Sequence, residues 1–140
     1  MRYDISIRPR VSETDMLGHV NNVAVVAWFE EGRSYMVREA LAGEWRMPPF
    51  VIVRLEIDYG AQLYFGEAVQ VETGVERLGN TSAVFRQRVR QRGTVAASAR
   101  CVVVHFDHAT QRPAPLPEAL RAALGRFTDG WDDEPRHHPG

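Results

Sequence analysis

The sequence predicts an α+β domain in which one antiparallel sheet curls round one long apolar helix. Three observations lead there. One stretch, from Asn21 to about Leu41, reads as a long helix; the stretches after it alternate with period two; and the turns between them are short. Strands joined by tight turns pair antiparallel, because parallel neighbours need long crossovers. One sheet covering one apolar helix must curve round it.

The first strand is read in Tyr3–Arg8, where apolar and polar residues alternate. A polar, Gly-containing loop follows from Ser12 to His19. Asn21-Asn22 supplies a favoured N-cap, since an Asn side chain accepts a bond from a free first-turn N–H. The helix after it lacks Pro, is apolar nearly all round from Val25 to Phe29, and becomes amphipathic later. Its start is therefore expected to be buried. Alternation then returns in Val51/Val53/Leu55/Ile57, in Val69/Val71/Thr73/Val75, and in Ala83/Phe85/Gln87/Val89. Ala96–Phe106 is the last strand, and Pro117–Phe127 a short helix with Pro where a missing N–H does little harm. The folded domain is expected over 1–127, with 128–140 a flexible polar tail.

A chain of 140 residues suits one such domain and can bury enough surface to fold without a disulfide or metal. The formal net charge of −1 argues against a nucleic-acid partner. The longest apolar run, Val23–Phe29, is far too short to span a membrane. A single cysteine, Cys101, reads as a buried structural thiol and suits a reducing cytoplasm. All 17 basic residues are Arg, which excludes a lysine Schiff base.

The segment that carries chemistry is Ser12–Asn22, between the first strand and the helix. A helix N-terminus presents unpaired N–H groups and a partial positive charge, suited to a carbonyl oxygen gaining negative charge. A carboxylate beside it, Asp15, either attacks an acyl carbon or activates a water. On generic grounds an Asp at this place is a turn residue and His19 a packed histidine.

The string Glu13-Thr14-Asp15-Met16-Leu17-Gly18-His19-Val20-Asn21-Asn22, followed by Trp28-Phe29-Glu30-Glu31-Gly32-Arg33, resembles the signature of hotdog-fold thioesterases. It is most similar to the 4-hydroxybenzoyl-CoA thioesterase-like group. The resemblance continues in Asp58-Tyr59, Tyr64-Phe65-Gly66-Glu67, Arg77–Ser82 and Arg112–Pro117, and so spans roughly residues 3–126. It implies a hotdog fold, a five- or six-stranded antiparallel sheet wrapped round a central helix. It also implies a dimer joined sheet edge to sheet edge, its active sites at the interface, often paired into a tetramer. Asp15 takes the place of the catalytic Asp, and the backbone at Asn22 that of the oxyanion donor. His19 and Asn21 are candidates for positioning Asp15. The branch linked to the Tol-Pal system has a His seven positions after the Asp; here that residue is Asn22, which argues against a His-assisted mechanism. A further branch uses a Glu on the central helix, for which Glu30 or Glu31 would stand.

The implied reaction is hydrolysis of an acyl-CoA, needing neither metal nor cofactor beyond the coenzyme A of the substrate. Arg77, Gly79, Asn80, Thr81, Ser82 and Arg88 are the candidates for holding coenzyme A; Arg88 reads equally as a cross-strand partner of an acid such as Glu72. Trp28, Phe29 and Tyr59 are candidates for the acyl pocket, with core packing the competing role of Trp28 and Phe29. Three rival readings stay open: an acyl carrier protein thioesterase, a hydratase using Asp15 with His19, and a non-catalytic acyl-CoA-binding protein.

Overall fold

The computed structural model describes residues 1–43 and 46–132. Strand β1 (Tyr3–Ile7) leads through a 3-10 turn (Val11–Glu13) to helix α1 (Asn22–Ala40). Strands β2 (Phe50–Tyr59), β3 (Val69–Leu78), β4 (Ser82–Gln91) and β5 (Thr94–Asp107) follow. A two-residue strand β6 (Arg112–Pro113) and helix α2 (Glu118–Gly125) complete the fold. The sheet runs β1-β3-β4-β5-β2 with every pair antiparallel, and β6 adds to β5. This is the hotdog arrangement expected from the sequence.

Helix α1 forms where its cap and its apolar spacing put it. The Asn21 side chain accepts from the Ala24 N–H at 2.8 Å, and Val25, Trp28, Phe29, Gly32, Met36 and Val37 turn one face to the sheet. Its first half packs on Val69, Val71, Val89 and Ala99. Its second half packs on Val75, Phe85, Cys101 and the α2 residues Leu120 and Leu124. Burying a side chain such as Phe29 or Met36 contributes roughly 1.5–3 kcal/mol.

Between these two clusters the helix comes closest to the sheet. A Cβ at Gly32 would lie 2.7 Å from Thr73 Oγ1 and 2.9 Å from Gln87 Nε2. Gln87, inward-facing in its strand and 1% exposed, donates to the Phe29 carbonyl and to Thr73 Oγ1, and accepts from Arg33. A polar seam thus fixes the helix register on the sheet, with each buried polar group partnered.

Three features differ from the sequence reading. The β2 alternation is broken by a bulge between Ile52 and Arg54, which turns Ile52 rather than Val53 opposite inward-facing Val103. One extra residue in a period of two reverses every later side chain. Second, β6 gives β5 an extra partner. Third, the segment expected to be a loose tail begins on the sheet: the Trp131 ring lies 4.0 Å below the Arg88 guanidinium, against the space left by Gly74. Residues 133–140 of that tail lie outside the described residues.

Candidate active site

Asp15 stands in a tight turn rather than in a groove. Its N–H donates to the His19 carbonyl at 2.8 Å, and its Oδ1 accepts from the N–H groups of Leu17 (2.8 Å) and His19 (3.1 Å). Gly18 takes φ +79°, a conformation that L side chains resist, and closes the turn. Oδ2 has no hydrogen-bond partner among the described residues, and Asp15 is exposed. One carboxylate oxygen is spent on holding the side chain; the other is offered outward.

The turn is the tip of a short hairpin. Thr14 bridges to Val20, and the Asn21 N–H donates to the Glu13 carbonyl at 2.8 Å. Its return arm runs straight into α1. Because Asn21 caps Ala24, the N–H groups of Asn22 and Val23 are left without acceptors among the described residues. Asn22 is the first helical residue, and its own carbonyl accepts from the Tyr59 hydroxyl at 3.1 Å. Partial burial pushes the Tyr59 phenol above the ordinary tyrosine range. Beside these groups is an open cleft of about 300 Å³ walled by Val20, Val25, Tyr59, Ala61 and Leu63.

Glu13 anchors the hairpin from behind. The residue is 8% exposed, and its carboxylate accepts from the Arg10 N–H at 2.8 Å and the Trp28 indole N–H at 3.0 Å. Burial alone would raise its pKa. The Arg10 N–H, the indole and the Arg10 guanidinium outweigh that and hold it below the usual carboxylate range.

The structure brings Asp15, His19, Asn21, Asn22 and Tyr59 to one end of the domain. Trp28 lies behind the hairpin at Glu13, and the coenzyme candidates lie elsewhere. Trp28 is 3% exposed and borders a second cleft, of about 380 Å³, with Glu13, Glu30 and Glu31. Arg77 is exposed, and Gly79, Asn80, Thr81 and Ser82 form the β3–β4 turn at the opposite end of the sheet. β4 has ten residues, so that turn lies roughly 30 Å from the Asp15 end at about 3.3 Å per residue. The turn's carbonyls are used within the fold: Gly79 and Asn80 accept from Arg121, Thr81 from the His105 N–H, and Ser82 from the Gly79 N–H.

Arg88 has the cross-strand role. Its side chain is 5% exposed and lies 2.9 Å from Glu72 Oε1, with Asp132 and the Trp131 ring completing its shell. A guanidinium so enclosed offers nothing to a ligand phosphate in this conformation. Arg88→Ala leaves Glu72 with a weakened shell. It is expected to cost about 3 kcal/mol in urea unfolding, the scale for breaking a buried pair, with KM for an acyl-CoA unchanged.

The resemblance included Glu13 and Tyr64–Glu67 without giving them a role, and nothing in the sequence pointed to Gln91; all of these support the turn. Glutamine at the end of a strand carries no pattern of its own.

Comparison with known proteins identifies the group. The family model described as the thioesterase-like superfamily matches residues 9–124. This chain belongs to that superfamily. A predicted thioesterase from Bacillus stearothermophilus superposes with a TM-score of 0.84 at 39% identity, covering 100% of each chain. A thioesterase from Thermus thermophilus, solved with coenzyme A and Zn, superposes at 0.80 with 30% identity over 89% of this chain and 92% of its own. The acyl-CoA thioester hydrolase YbgC of Escherichia coli is 28% identical over 123 residues, covering 83% of this chain and 90% of that one. Among the described residues, no group of three or more His, Cys, Asp or Glu is arranged to hold a metal, and no helix is long and apolar enough to cross a membrane.

Proposed function

We propose that this thioesterase-like chain hydrolyses an acyl-CoA to the free acid and coenzyme A, with Asp15 as catalytic carboxylate. The observation that carries this is the free Asp15 Oδ2 on a hairpin whose other arm opens helix α1 with unpaired N–H groups. The thioester oxygen docks on the Asn22 and Val23 N–H groups, which stabilise the negative charge formed on attack. Oδ2 either attacks the acyl carbon, forming an anhydride that water then opens, or takes a proton from an attacking water. In both routes the carbon–sulfur bond breaks and the thiolate leaves. Thiolate is a good leaving group, so the reaction draws on no cofactor. The acyl group lies in the cleft beside Tyr59. The substrate and the single buried cysteine both fit a cytoplasmic enzyme.

The working unit in this reading is a dimer formed through β2, with a tetramer as a pair of such dimers. The two edges of the sheet differ. β1 offers five residues, closed off by Pro9. β2 offers ten, with Val51, Ile52 and Val53 exposed at 42%, 49% and 59%. A long apolar edge with unpaired backbone groups is a template for another strand. Two-fold antiparallel pairing lays the Tyr59 end of one β2 against the Phe50 end of the other. The Phe50 end neighbours the β3–β4 turn, through Phe50–His105 and the His105 N–H to the Thr81 carbonyl. The partner copy's turn is thereby carried towards Asn22. The two groups of candidate residues, at opposite ends of one chain, meet across two chains. Asn80, Thr81 and the exposed Arg77 then serve the long coenzyme arm.

The test is thiol release from a panel of short, medium, long, branched and aromatic acyl-CoAs, beside the same acyl groups on acyl carrier protein. Turnover of the coenzyme A esters supports the proposal. Turnover of the carrier-protein esters alone would reassign the substrate, and tight binding of an acyl-CoA without thiol release would make the chain a binding protein.

A further inference from the structure

We propose that Gln91, the last residue of β4, is the positioning residue that moors the Asp15 turn to the sheet; this rests on the reading of Asp15 as the catalytic carboxylate. The hairpin is held on its helix side by Glu13. On its sheet side, its backbone hydrogen bonds among the described residues run to one segment, Leu63–Phe65. The Val20 N–H donates to the Leu63 carbonyl at 2.8 Å, the Phe65 N–H donates to the Gly18 carbonyl at 3.0 Å, and the His19 ring meets the Tyr64 ring edge-on at 5.2 Å. That segment belongs to no strand of the sheet and needs an anchor of its own.

Gln91 supplies it. The side chain is enclosed (5% exposed), and its Oε1 accepts from the Tyr64 N–H at 2.9 Å. Its Nε2 donates to the Tyr64 carbonyl at 2.9 Å and to the Glu67 carbonyl at 3.0 Å. One acceptor and two donors on a single plane are what a primary amide offers and a carboxylate or alkyl group does not. A surface pair, Arg92 with Glu67, lies over the same loop but is solvent-screened and weak. The line of contact therefore runs from Gln91 through the Tyr64 backbone to residues 18–20, and from the His19 N–H and carbonyl to Asp15. Gln91 lies outside the cleft lining and acts only through this line. A loosened turn would still bind substrate while holding its carboxylate in the wrong place, and a misplacement of about 1 Å can cost on the order of a hundredfold in rate.

The test compares Gln91→Leu and Gln91→Glu with Leu124→Ala, a core truncation under α2 that destabilises without touching the site. Gln91→Leu is expected to lower kcat by about tenfold or more with KM within about threefold, while Leu124→Ala keeps its kcat. Gln91→Glu, which keeps the acceptor but sets a carboxylate oxygen against the Tyr64 and Glu67 carbonyls, should fall at least as far. Amide hydrogen exchange should quicken at Leu17 and His19 and stay unchanged at Ala24, the capped residue of α1. A kcat within about twofold of wild type in Gln91→Leu, or in Gln91→Glu where the Leu variant does not fold, overturns the proposal. So does exchange that quickens equally at Ala24, which would mean general loosening. The exchange readout is independent of catalysis. If Asp15 variants prove fully active, the catalytic reading fails while the mooring is still measured.

Discussion

Asp15→Ala is expected to lower kcat for a coenzyme A thioester by about a thousandfold, the middle of the range for losing a positioned base or nucleophile. The fold should survive, since Asp15 is exposed and its two turn bonds are worth about 1 kcal/mol each. Asp15→Asn sharpens the comparison. The amide oxygen can still accept from Leu17 and His19, so the turn is kept while the charge is lost. A similar collapse in both variants, with binding of a non-hydrolysable thioether unchanged, assigns the loss to the carboxylate itself. Single turnover in oxygen-18 water separates the two routes: label entering Asp15 marks the anhydride, and its absence marks attack by water. Turnover within about threefold of wild type in Asp15→Asn would move the catalyst elsewhere, with Glu31 in the second cleft the next to try.

Placing two lysines on the β2 edge, Ile52→Lys with Val53→Lys, is expected to yield a monomer with turnover reduced about a hundredfold. Both residues are exposed in the single chain, so the variant has little folding stability to lose. Lysines on an edge strand block pairing, and in the paired edge their charged heads would have to give up water among apolar neighbours. Light scattering gives the mass and thiol release the rate. A monomer that remains fully active would show that one chain holds a complete site. A variant that stays dimeric would place the interface on another surface.

The fold was legible because its signals are local. The Asn21 cap, the Pro-free helix and the period-two runs each need only a few neighbouring residues, and the elements that were read formed within three residues of their expected ends. The Asp15 turn was legible by resemblance, and the structure adds the reason for its composition: Gly18 supplies the positive φ, and the Asp side chain closes the turn on two N–H groups. What escaped depends on partners distant in sequence. Alternation predicts the face on which Arg88 stands, but its enclosure comes from Trp131, far along the chain. The β2 bulge inserts a residue without any Gly or Pro to mark it. Trp28 was a candidate for the acyl pocket; its indole is committed to Glu13 across the hairpin base, a pairing no spacing rule foretells. The Gly79–Ser82 turn was read as part of a site it does not reach within its own chain, because a turn motif does not say which end of the sheet it will occupy.

The buried thiol has a practical side. Cys101 is fully enclosed at the centre of β5; burial raises its pKa, with the nearby Arg33 charge acting weakly against this. It is the chain's only cysteine. A reagent that develops colour with free thiols will therefore see released coenzyme A and stay blind to the native protein. Any slow signal in the absence of substrate reports molecules that have opened their sheet. Every kinetic trace would then carry its own stability measurement: the blank rate for each variant states how often that variant comes apart.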